Sequence, residues 1–100
     1  MEISTIEAKG LTKLLALPGL VPDKLRMHIS EVDAGSRSHA AHTHAGLEAF
    51  YIFEGNVTVE VEGEKFPLTA NEAMVLDATR PHGIFNSGST RTRYLVIIAP

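Results

Sequence analysis

Alternation of hydrophobic and polar residues is clearest in the middle of the chain, where Val57, Val59 and Val61 are separated by Thr58 and Glu60. Side chains two positions apart on a strand point to the same face, so this pattern predicts a strand with one buried and one solvated face. Further short segments rich in Val, Ile, Phe and Tyr recur about every eight to twelve residues from residue 24 onward. These segments predict an all-β sandwich or barrel.

The predicted strands are Lys24–Val32, Glu48–Phe53, Asn56–Val61, Lys65–Leu68, Ala73–Leu76, His82–Asn86 and Arg91–Ile98. Glycine-containing turns separate many of them, because glycine readily adopts the positive φ of tight hairpins. These turns fall at Ala34-Gly35, Glu54-Gly55-Asn56, Glu62-Gly63-Glu64 and Ser87-Gly88-Ser89. Asn71, followed by Glu72, predicts one more turn, since asparagine also tolerates a left-handed φ.

The first twenty residues have a weaker pattern. Leu11 to Leu20 is partly apolar, but Pro18 and Gly19 limit any helix to about two turns, which is too short to be stable without tertiary support. We expect residues 1–23 to form a short irregular or strand-like segment and residues 24–100 to form the single β domain.

Two features predict that the outer surface of the domain is covered. Tyr94–Ile98 is apolar at successive positions, which is typical of a strand buried on both faces. Ala49, Tyr51 and Phe53 point away from the side that carries Glu48, and they would leave an apolar stripe on the surface. We expect a homodimer, with the N-terminal segment at the subunit interface; folding of residues 1–20 over the stripe within one chain is the alternative.

Composition narrows the classes of function. One hundred residues suffice for one domain, and a net charge of −3 without a basic stripe makes a nucleic-acid partner unexpected. No apolar run approaches a membrane span and the N-terminus does not resemble a signal peptide, so we expect a soluble cytoplasmic protein with no membrane contact. The chain has no cysteine, so a transition-metal site would have to consist of His, Asp and Glu.

Three of the five histidines lie close together, at His39, His42 and His44, and Glu48 follows after three residues. On an extended strand His42 and His44 point to the same side, and the turn-like Ala45-Gly46-Leu47 allows Glu48 to start the next strand on that side. Two imidazoles and one carboxylate suit a divalent metal. An ordinary polar strand face is the alternative. His82, which follows a proline, is either a further ligand or a core histidine satisfied by hydrogen bonds.

These residues together resemble the first signature motif of the cupin superfamily, with matches at Gly35, His42, His44, Glu48 and Gly55. One extra residue between Gly35 and His42 predicts a bulge or a longer loop, which leaves His39 near the site as an additional imidazole. The resemblance covers residues 24–99.

The second cupin motif is kept only in part. His82 and Asn86 are in place, whereas Asn71, Asp77 and Thr79 stand where the motif has two glycines and a proline. The replacements at Asp77 and Thr79 are expected to weaken the loop that leads to His82, and Pro81 to restore some of its rigidity.

The resemblance implies a cupin-type double-stranded β-helix, or jelly-roll, barrel that holds one divalent transition metal per subunit. By this likeness the metal ligands are His42, His44, Glu48 and His82. Four protein ligands leave one or two octahedral positions open, and they do not choose among Mn, Fe, Co, Ni and Zn.

A mostly apolar pocket beside the metal follows from strand periodicity. Phe50 and Ile52 share the face of Glu48, and Ile84 and Asn86 share the face of His82. Such a pocket suits a small organic ligand.

The strand before the histidines places Arg26, His28 and Ser30 on one face. This polar face either lines the pocket, where Arg26 or His28 would meet an anionic substrate, or faces solvent. Solvent is favoured, because solvated polar faces are common on antiparallel sheets.

Three classes of function remain for such a protein. The first is a metal-dependent enzyme acting on a small organic acid, carbonyl compound or sugar, as a dioxygenase, decarboxylase or isomerase. The others are a non-catalytic module that binds or senses a small molecule, and a structural metal protein. No catalytic residue is assigned, and the titratable candidates for acid–base work are His28, His39 and Arg26.

Overall fold

The computed structural model describes residues 1–20 and 24–100. All regular secondary structure within these residues is β-strand. Residues 21–23, at the end of the expected N-terminal segment, lie outside the described residues. The strands are β1 (Ser4–Ile6), β2 (Leu14–Ala16), β3 (Arg26–Val32), β4 (Leu47–Glu54), β5 (Asn56–Val61), β6 (Glu64–Thr69), β7 (Ala73–Asp77), β8 (His82–Phe85) and β9 (Thr92–Ala99). The all-β prediction is confirmed, and the expected strands from residue 24 onward differ from β3–β9 only at their ends. No helix in the described parts of the chain could span a membrane.

Two antiparallel sheets form the barrel. One has the strand order β3-β9-β4-β7 and the other the order β6-β5-β8. Strands distant in sequence lie side by side, as in a jelly-roll, and the inward-facing side chains of both sheets form the core. The largest apolar side chains that this core buries completely are Tyr94, Ile52, Val57 and Val59.

Strand β5 departs from the expected alternation on its outer face. Val57, Val59 and Val61 are buried as predicted, but Thr58 is buried as well and Glu60 is half-buried. Thr58 pairs with Pro67 on one side and Phe85 on the other, and Arg37 lies 3.7 Å from the Glu60 carboxylate. Neighbouring strands and this loop arginine therefore cover a face that the pattern assigned to solvent.

The N-terminal segment forms a hairpin of β1 and β2 that lies against the edge of β3. The amide of Ile29 donates a hydrogen bond of 2.8 Å to the carbonyl of Lys9. Gly10 has φ +77°, and a Cβ at this position would stand 2.4 Å from the carbonyl oxygen of Ile29. Only glycine allows the hairpin to approach β3 this closely, and the contact brings Lys9 near the barrel wall.

The outer face of the four-stranded sheet is apolar across its width. Ala49, Tyr51 and Phe53 alternate with the buried residues of β4, and all three are half-buried. Ala49 pairs with Ile97 on one side and with Val75 on the other, and Val75 is 66% exposed. The N-terminal hairpin meets this sheet at β3 and leaves Val75 open.

Candidate metal centre

Two of the four predicted metal ligands stand on strands of the barrel. Glu48 is an inward-facing residue of β4 and is 5% exposed, and His82 is the first residue of β8 and is 1% exposed. The backbone of His42 pairs with that of His82 through two hydrogen bonds of 3.0 Å. This isolated bridge holds the loop between β3 and β4 against β8.

Gly46 directs the chain from His44 to Glu48. It has φ +87°, and a Cβ there would lie 2.0 Å from the carbonyl oxygen of Ala99. The flanking backbone is tied to Ala78, whose amide donates to Gly46 over 2.9 Å and whose carbonyl accepts from the His44 amide over 2.9 Å. The turn expected before Glu48 therefore depends on a glycine.

The side chains of His42, His44, Glu48 and His82 converge inside the barrel, and one donor atom of each lies within 4.8 Å of all the others. Nε2 of His82 is 3.0 Å from one oxygen of Glu48, and Nε2 of His44 is 3.4 Å from the other. Three imidazoles and one carboxylate in this arrangement could hold a metal ion.

Hydrogen bonds at the outer ring nitrogens select the tautomers of two ligands. Nδ1 of His82 lies 2.8 Å from the carbonyl oxygen of Arg80, and Nδ1 of His44 lies 3.1 Å from that of Ala45. A carbonyl only accepts, so Nδ1 carries the proton and the lone pair of Nε2 points into the cluster. Both Nε2 atoms are buried and have no hydrogen-bond partner among the described residues. A bound cation would satisfy them, so the residues fit a metal.

Partial desolvation also favours the ligating form of His42, which is nevertheless exposed to solvent. Its pKa is lowered because burial disfavours the charged ring, and the neighbouring His39 and His82 lower it further against the opposing effect of Glu48. A metal binds neutral imidazole, so the lowered pKa keeps His42 ready to coordinate at neutral pH.

The loop before His82 contains hydrogen bonds that the departures from the second motif did not predict. Oδ1 of Asp77 accepts hydrogen bonds from the hydroxyl of Thr79 at 2.7 Å and from its amide at 3.0 Å. These bonds lower the pKa of Asp77, and the turn is closed by a bond from the Arg80 amide to the Asp77 carbonyl. A turn capped by the Asp77 side chain therefore stands where the motif has a proline and a glycine, and the weaker loop stays a prediction. Asn71 has φ 67°, so it forms the expected left-handed turn.

The cluster lines a cavity of about 480 Å³ between the two sheets. Besides the four cluster residues, it is lined by Arg26, His28, Ser30, Ser38, His39, Thr43, Phe50, Gly83, Ile84, Tyr94, Val96 and Ile98. Arg26, His28 and Ser30 therefore line the cavity. The preference for solvent on that face was wrong for Ser30, which is buried, and for His28, which is half-buried, whereas Arg26 lines the cavity and is also exposed to solvent. The inward rows of the sheet place these residues beside Tyr94, Val96 and Ile98 of β9.

Two residues expected in the pocket do not line it. Ile52 is 0% exposed and belongs to the core beyond Phe50, away from the cavity. Asn86 is also 0% exposed, and its amide donates to the carbonyls of Val32 at 2.9 Å and Thr90 at 2.7 Å. A shared strand face determines which way a side chain points but not how far along the barrel it lies. Both side chains point inward and lie in the packed part of the barrel.

His39 lies beside the cluster rather than in it. Its ring stacks on that of His42 with centroids 4.6 Å apart, and its Nδ1 lies 3.1 Å from the carbonyl of Ala40. His39 lines the cavity, but it does not belong to the four residues whose donor atoms converge.

Sequence reasoning had no specific ground to place Tyr94, Val96 and Ile98 in the pocket, because residues 94–98 are apolar at every position. The alternating rule could have selected these three once β9 was paired with β4. In the structure Tyr94 packs edge-on against Phe50 with ring centroids 6.0 Å apart. Burial raises the pKa of the Tyr94 hydroxyl, so the phenol stays protonated.

Solved structures share this fold. A predicted oxalate decarboxylase from Thermotoga maritima matches with a TM-score of 0.69 and 28% identity, over 77% of this chain and 68% of that one. A provisionally assigned sugar phosphate isomerase from Acidithiobacillus ferrooxidans matches with a TM-score of 0.65 and 25% identity, over 74% of this chain but only 49% of that one. The cupin domain of an XRE family transcriptional regulator from Enterobacter cloacae matches with a TM-score of 0.71 and 16% identity, over 99% and 95% of the two chains.

The chain thus spans between about half and two thirds of the first two structures, and at 16% identity the third shows the fold alone. No curated protein matches the sequence significantly. The family model described as Cupin domain matches residues 28–98. That range contains all four residues of the converging cluster and all seven strands of the barrel apart from the ends of β3 and β9. The chain therefore belongs to the Cupin domain family.

Proposed function

We propose that the protein is a metal-dependent enzyme that acts on a small organic acid, carbonyl compound or sugar. The observation that carries the proposal is that the three-histidine, one-carboxylate cluster opens into the cavity of about 480 Å³. A structural metal site is normally closed by protein atoms, whereas a catalytic site keeps a position for substrate. His42, His44, Glu48 and His82 would hold one divalent ion, either Mn, Fe, Co, Ni or Zn.

The bound ion would supply Lewis-acid chemistry, which polarises an oxygen atom of the substrate. The chain itself supplies the surroundings. Phe50, Ile84 and Val96 give the cavity an apolar wall that excludes water from the reacting group. His28 and His39 place two further imidazoles along the same cavity, so a proton donor or acceptor is available outside the ligand set.

The names of two similar structures support this choice of chemistry. Oxalate is a small organic acid and a sugar phosphate is a small polyol, and both would present oxygen donors to a metal. A shared fold does not determine the reaction, so decarboxylation, isomerisation and dioxygenation all remain within the proposal. A non-catalytic binding or sensing module is the second candidate, since the same open cavity would serve it.

Purification without added metal, followed by elemental analysis, tests the first step of the proposal. We expect about one transition-metal ion per chain, and addition of azide to a cobalt-substituted form is expected to change its visible spectrum. A panel of carboxylates, diketones and sugars then separates the two candidates, because turnover supports the enzyme whereas binding without turnover supports the sensor. A metal that azide cannot reach, and whose removal unfolds the chain, would make the site structural.

We also propose that two chains associate through the apolar outer face of the four-stranded sheet. Leu47 and Val75 are 53% and 66% exposed on this face, which the N-terminal hairpin leaves uncovered. A second copy is the expected occupant, because one self-complementary patch forms a twofold dimer. The hairpin carries exposed leucines of its own, at Leu15, Leu17 and Leu20, and would extend the interface.

A further inference from the structure

Arg26 differs from the other arginines of the described chain in having no acidic partner. Each of the other four lies 3.7 Å or less from a carboxylate oxygen. Within residues 1–20 and 24–100, no ion pair to Arg26 is formed, and Arg26 is the arginine that lines the cavity. The Arg26 side chain is exposed where it lines the cavity, so its guanidinium N–H groups can donate to a molecule bound there.

Strand register places Arg26 in the same inward row as Glu48. Arg26 pairs with Ile98, and Ile98 pairs with Glu48. Two strand spacings separate their backbones by about 10 Å. The apolar side chain of Ile98 lies between them, so the wall has a metal-binding end, an apolar middle and a guanidinium end.

With a divalent ion bound, the charge balance of the cavity would be positive. Glu48 is the one acidic residue among the described residues that line it, and Glu48 belongs to the metal cluster. A divalent ion held by three neutral imidazoles and one carboxylate would leave a net charge of +1, and Arg26 adds another positive charge. A partly enclosed cavity with one sign of charge concentrates ligands of the opposite sign.

His28 lies two residues after Arg26 on the same face of β3 and is half-buried. Burial lowers the pKa of His28, and the ammonium group of Lys9 lowers it further. The neutral ring keeps one N–H donor and offers it beside the guanidinium. Arg26 and His28 together form a donor pair at the end of the cavity remote from Glu48.

Resting on the proposed function, we propose that the substrate is a small organic anion whose carboxylate or phosphate group is bound by Arg26, with His28 beside it, while an oxygen at its other end faces the metal cluster. Guanidinium groups bind carboxylate and phosphate through two parallel hydrogen bonds, so Arg26 would select anions against neutral molecules of the same shape. Arg26 is thereby a specificity-determining residue, and the neutral sugars and carbonyl compounds of the broader proposal become poor substrates.

Binding to the cobalt-loaded full chain, measured by calorimetry, tests this inference. Succinate and glycerol 3-phosphate are the two anionic probes, and butane-1,4-diol and glycerol are their neutral counterparts. We expect at least one anion, and neither neutral molecule, to bind the wild type. Arg26→Met is expected to weaken anion binding by at least about tenfold, because a charge-assisted pair is lost. Arg26→Lys retains the charge without the fork and is expected to lie between the two.

Arg91→Met is the matched control, since it removes the same charge from a surface ion pair with Glu31 outside the cavity. It is expected to bind the anion as the wild type does. Cobalt content and thermal midpoint show that each variant is folded and loaded, and Arg26→Lys serves as the test if Arg26→Met does not fold. The preference between succinate and glycerol 3-phosphate identifies the carboxylate or the phosphate as the natural group.

Equal anion affinity in Arg26→Met and the wild type overturns the inference, as does a wild type that binds azide but neither anion. Both outcomes leave the proposed metal site intact, because azide reports on the cobalt ion without Arg26. Failure of the wild type to bind cobalt at all overturns the proposed function and this inference together.

Discussion

Nε2 of His82 and Oε2 of Glu48 lie 3.0 Å apart, while the other ring nitrogen of His82 lies 2.8 Å from the carbonyl of Arg80. Because the Arg80 carbonyl fixes the proton on Nδ1, a lone pair of His82 faces a carboxylate oxygen. Two acceptors at this distance repel each other unless a cation or an additional proton lies between them. The arrangement of the pair therefore favours a positive charge between them, and a divalent ion would supply one.

Removing either of two ligands tests the metal assignment. We expect His44→Ala and His82→Ala each to lower metal affinity by more than about 100-fold, since loss of an outer-shell partner alone costs about 10–100-fold. Elemental analysis after dialysis measures this. His39→Ala is the control, because His39 stacks on His42 but stands outside the converging cluster, and this variant is expected to retain its metal. Metal that survives in both ligand variants would show that the ligand assignment is wrong.

The Asp77 turn is expected to affect metal binding without contacting the metal. Asp77→Ala removes the acceptor for both Thr79 hydrogen bonds, which loosens the loop that carries the Arg80 carbonyl. We expect metal affinity to fall by about threefold to tenfold, which is less than for a ligand. Asp77→Asn retains an oxygen acceptor and is expected to lie close to the wild type in a metal titration. Equal affinities in the alanine variant and the wild type would contradict this role of the turn.

Acid is expected to destabilise the metal-free protein partly through His28. The pKa of His28 is lowered below 6.5 by burial, then by Lys9, His39 and Arg26, against the opposing effect of Glu48. At pH values between the lowered pKa and 6.5, His28 binds more protons in the unfolded chain than in the folded chain. The contribution of His28 to the free energy of unfolding is therefore complete above about pH 6.5. It is lost as the pH falls from 6.5 to the lowered pKa.

Urea unfolding of the metal-free protein at several pH values between 7.5 and 5 measures this loss. His28→Gln is expected to lose less stability across this range than the wild type. Lys9→Met removes the second cause of the lowered pKa and is expected to give an intermediate loss. A His28→Gln profile parallel to that of the wild type would argue against the assignment.

Alanine substitutions at Gly46 and Gly63 distinguish the energetic cost of a steric clash from that of an unfavourable φ. Gly63 has φ +83° and open space around its Cα, so Gly63→Ala is expected to cost about 1–2 kcal/mol of unfolding free energy. Gly46→Ala meets the Ala99 carbonyl as well and is expected to cost about 3 kcal/mol or more, with loss of metal. Chemical denaturation compares the two variants. Equal costs would mean that the turn between His44 and Glu48 adjusts freely.

The proposed dimer interface is tested at Val75. Val75→Glu places a charge on the exposed apolar face of the sheet and is expected to give a monomer in sedimentation at micromolar concentration, where we expect the wild type to be dimeric. Lys65→Glu, on β6 of the other sheet, is the control for a change toward negative charge and is expected to remain dimeric. A monomeric wild type would transfer the covering role to residues 1–20, whose deletion should then cause aggregation.

Sequence periodicity was sufficient for most of the fold, because β4 buries alternate residues, β5 buries its three alternating valines, and glycines mark their turns. Most of the four-residue cluster could also be predicted from the sequence, since His42, His44 and Glu48 are close in sequence and their spacing resembles a known motif. His82 required that resemblance, because no local pattern says which distant segment pairs with His42.

Depth and pairing were the parts that the sequence could not determine. Whether Arg26 meets solvent or the cavity depends on the pairing of β3 with β9, and that pairing is non-local. Ile52 and Asn86 face the correct side of their strands but lie where the two sheets pack together. The hairpin of β1 and β2 is stabilised by its contact with Ile29. No pattern in residues 1–20 predicts this contact.

The backbone bridge between His42 and His82 divides the metal ligands into two pairs of different mechanical character. Glu48 and His82 stand on strands that are hydrogen-bonded along their length, whereas His42 and His44 belong to a loop held by the two bonds of this bridge and by one bond from the His44 amide to Ala78. Breaking those few bonds would withdraw two imidazoles at once and leave the ion on a carboxylate and one imidazole. The rate of exchange of the ion with a chelator is therefore expected to follow the opening of this loop rather than the unfolding of the barrel.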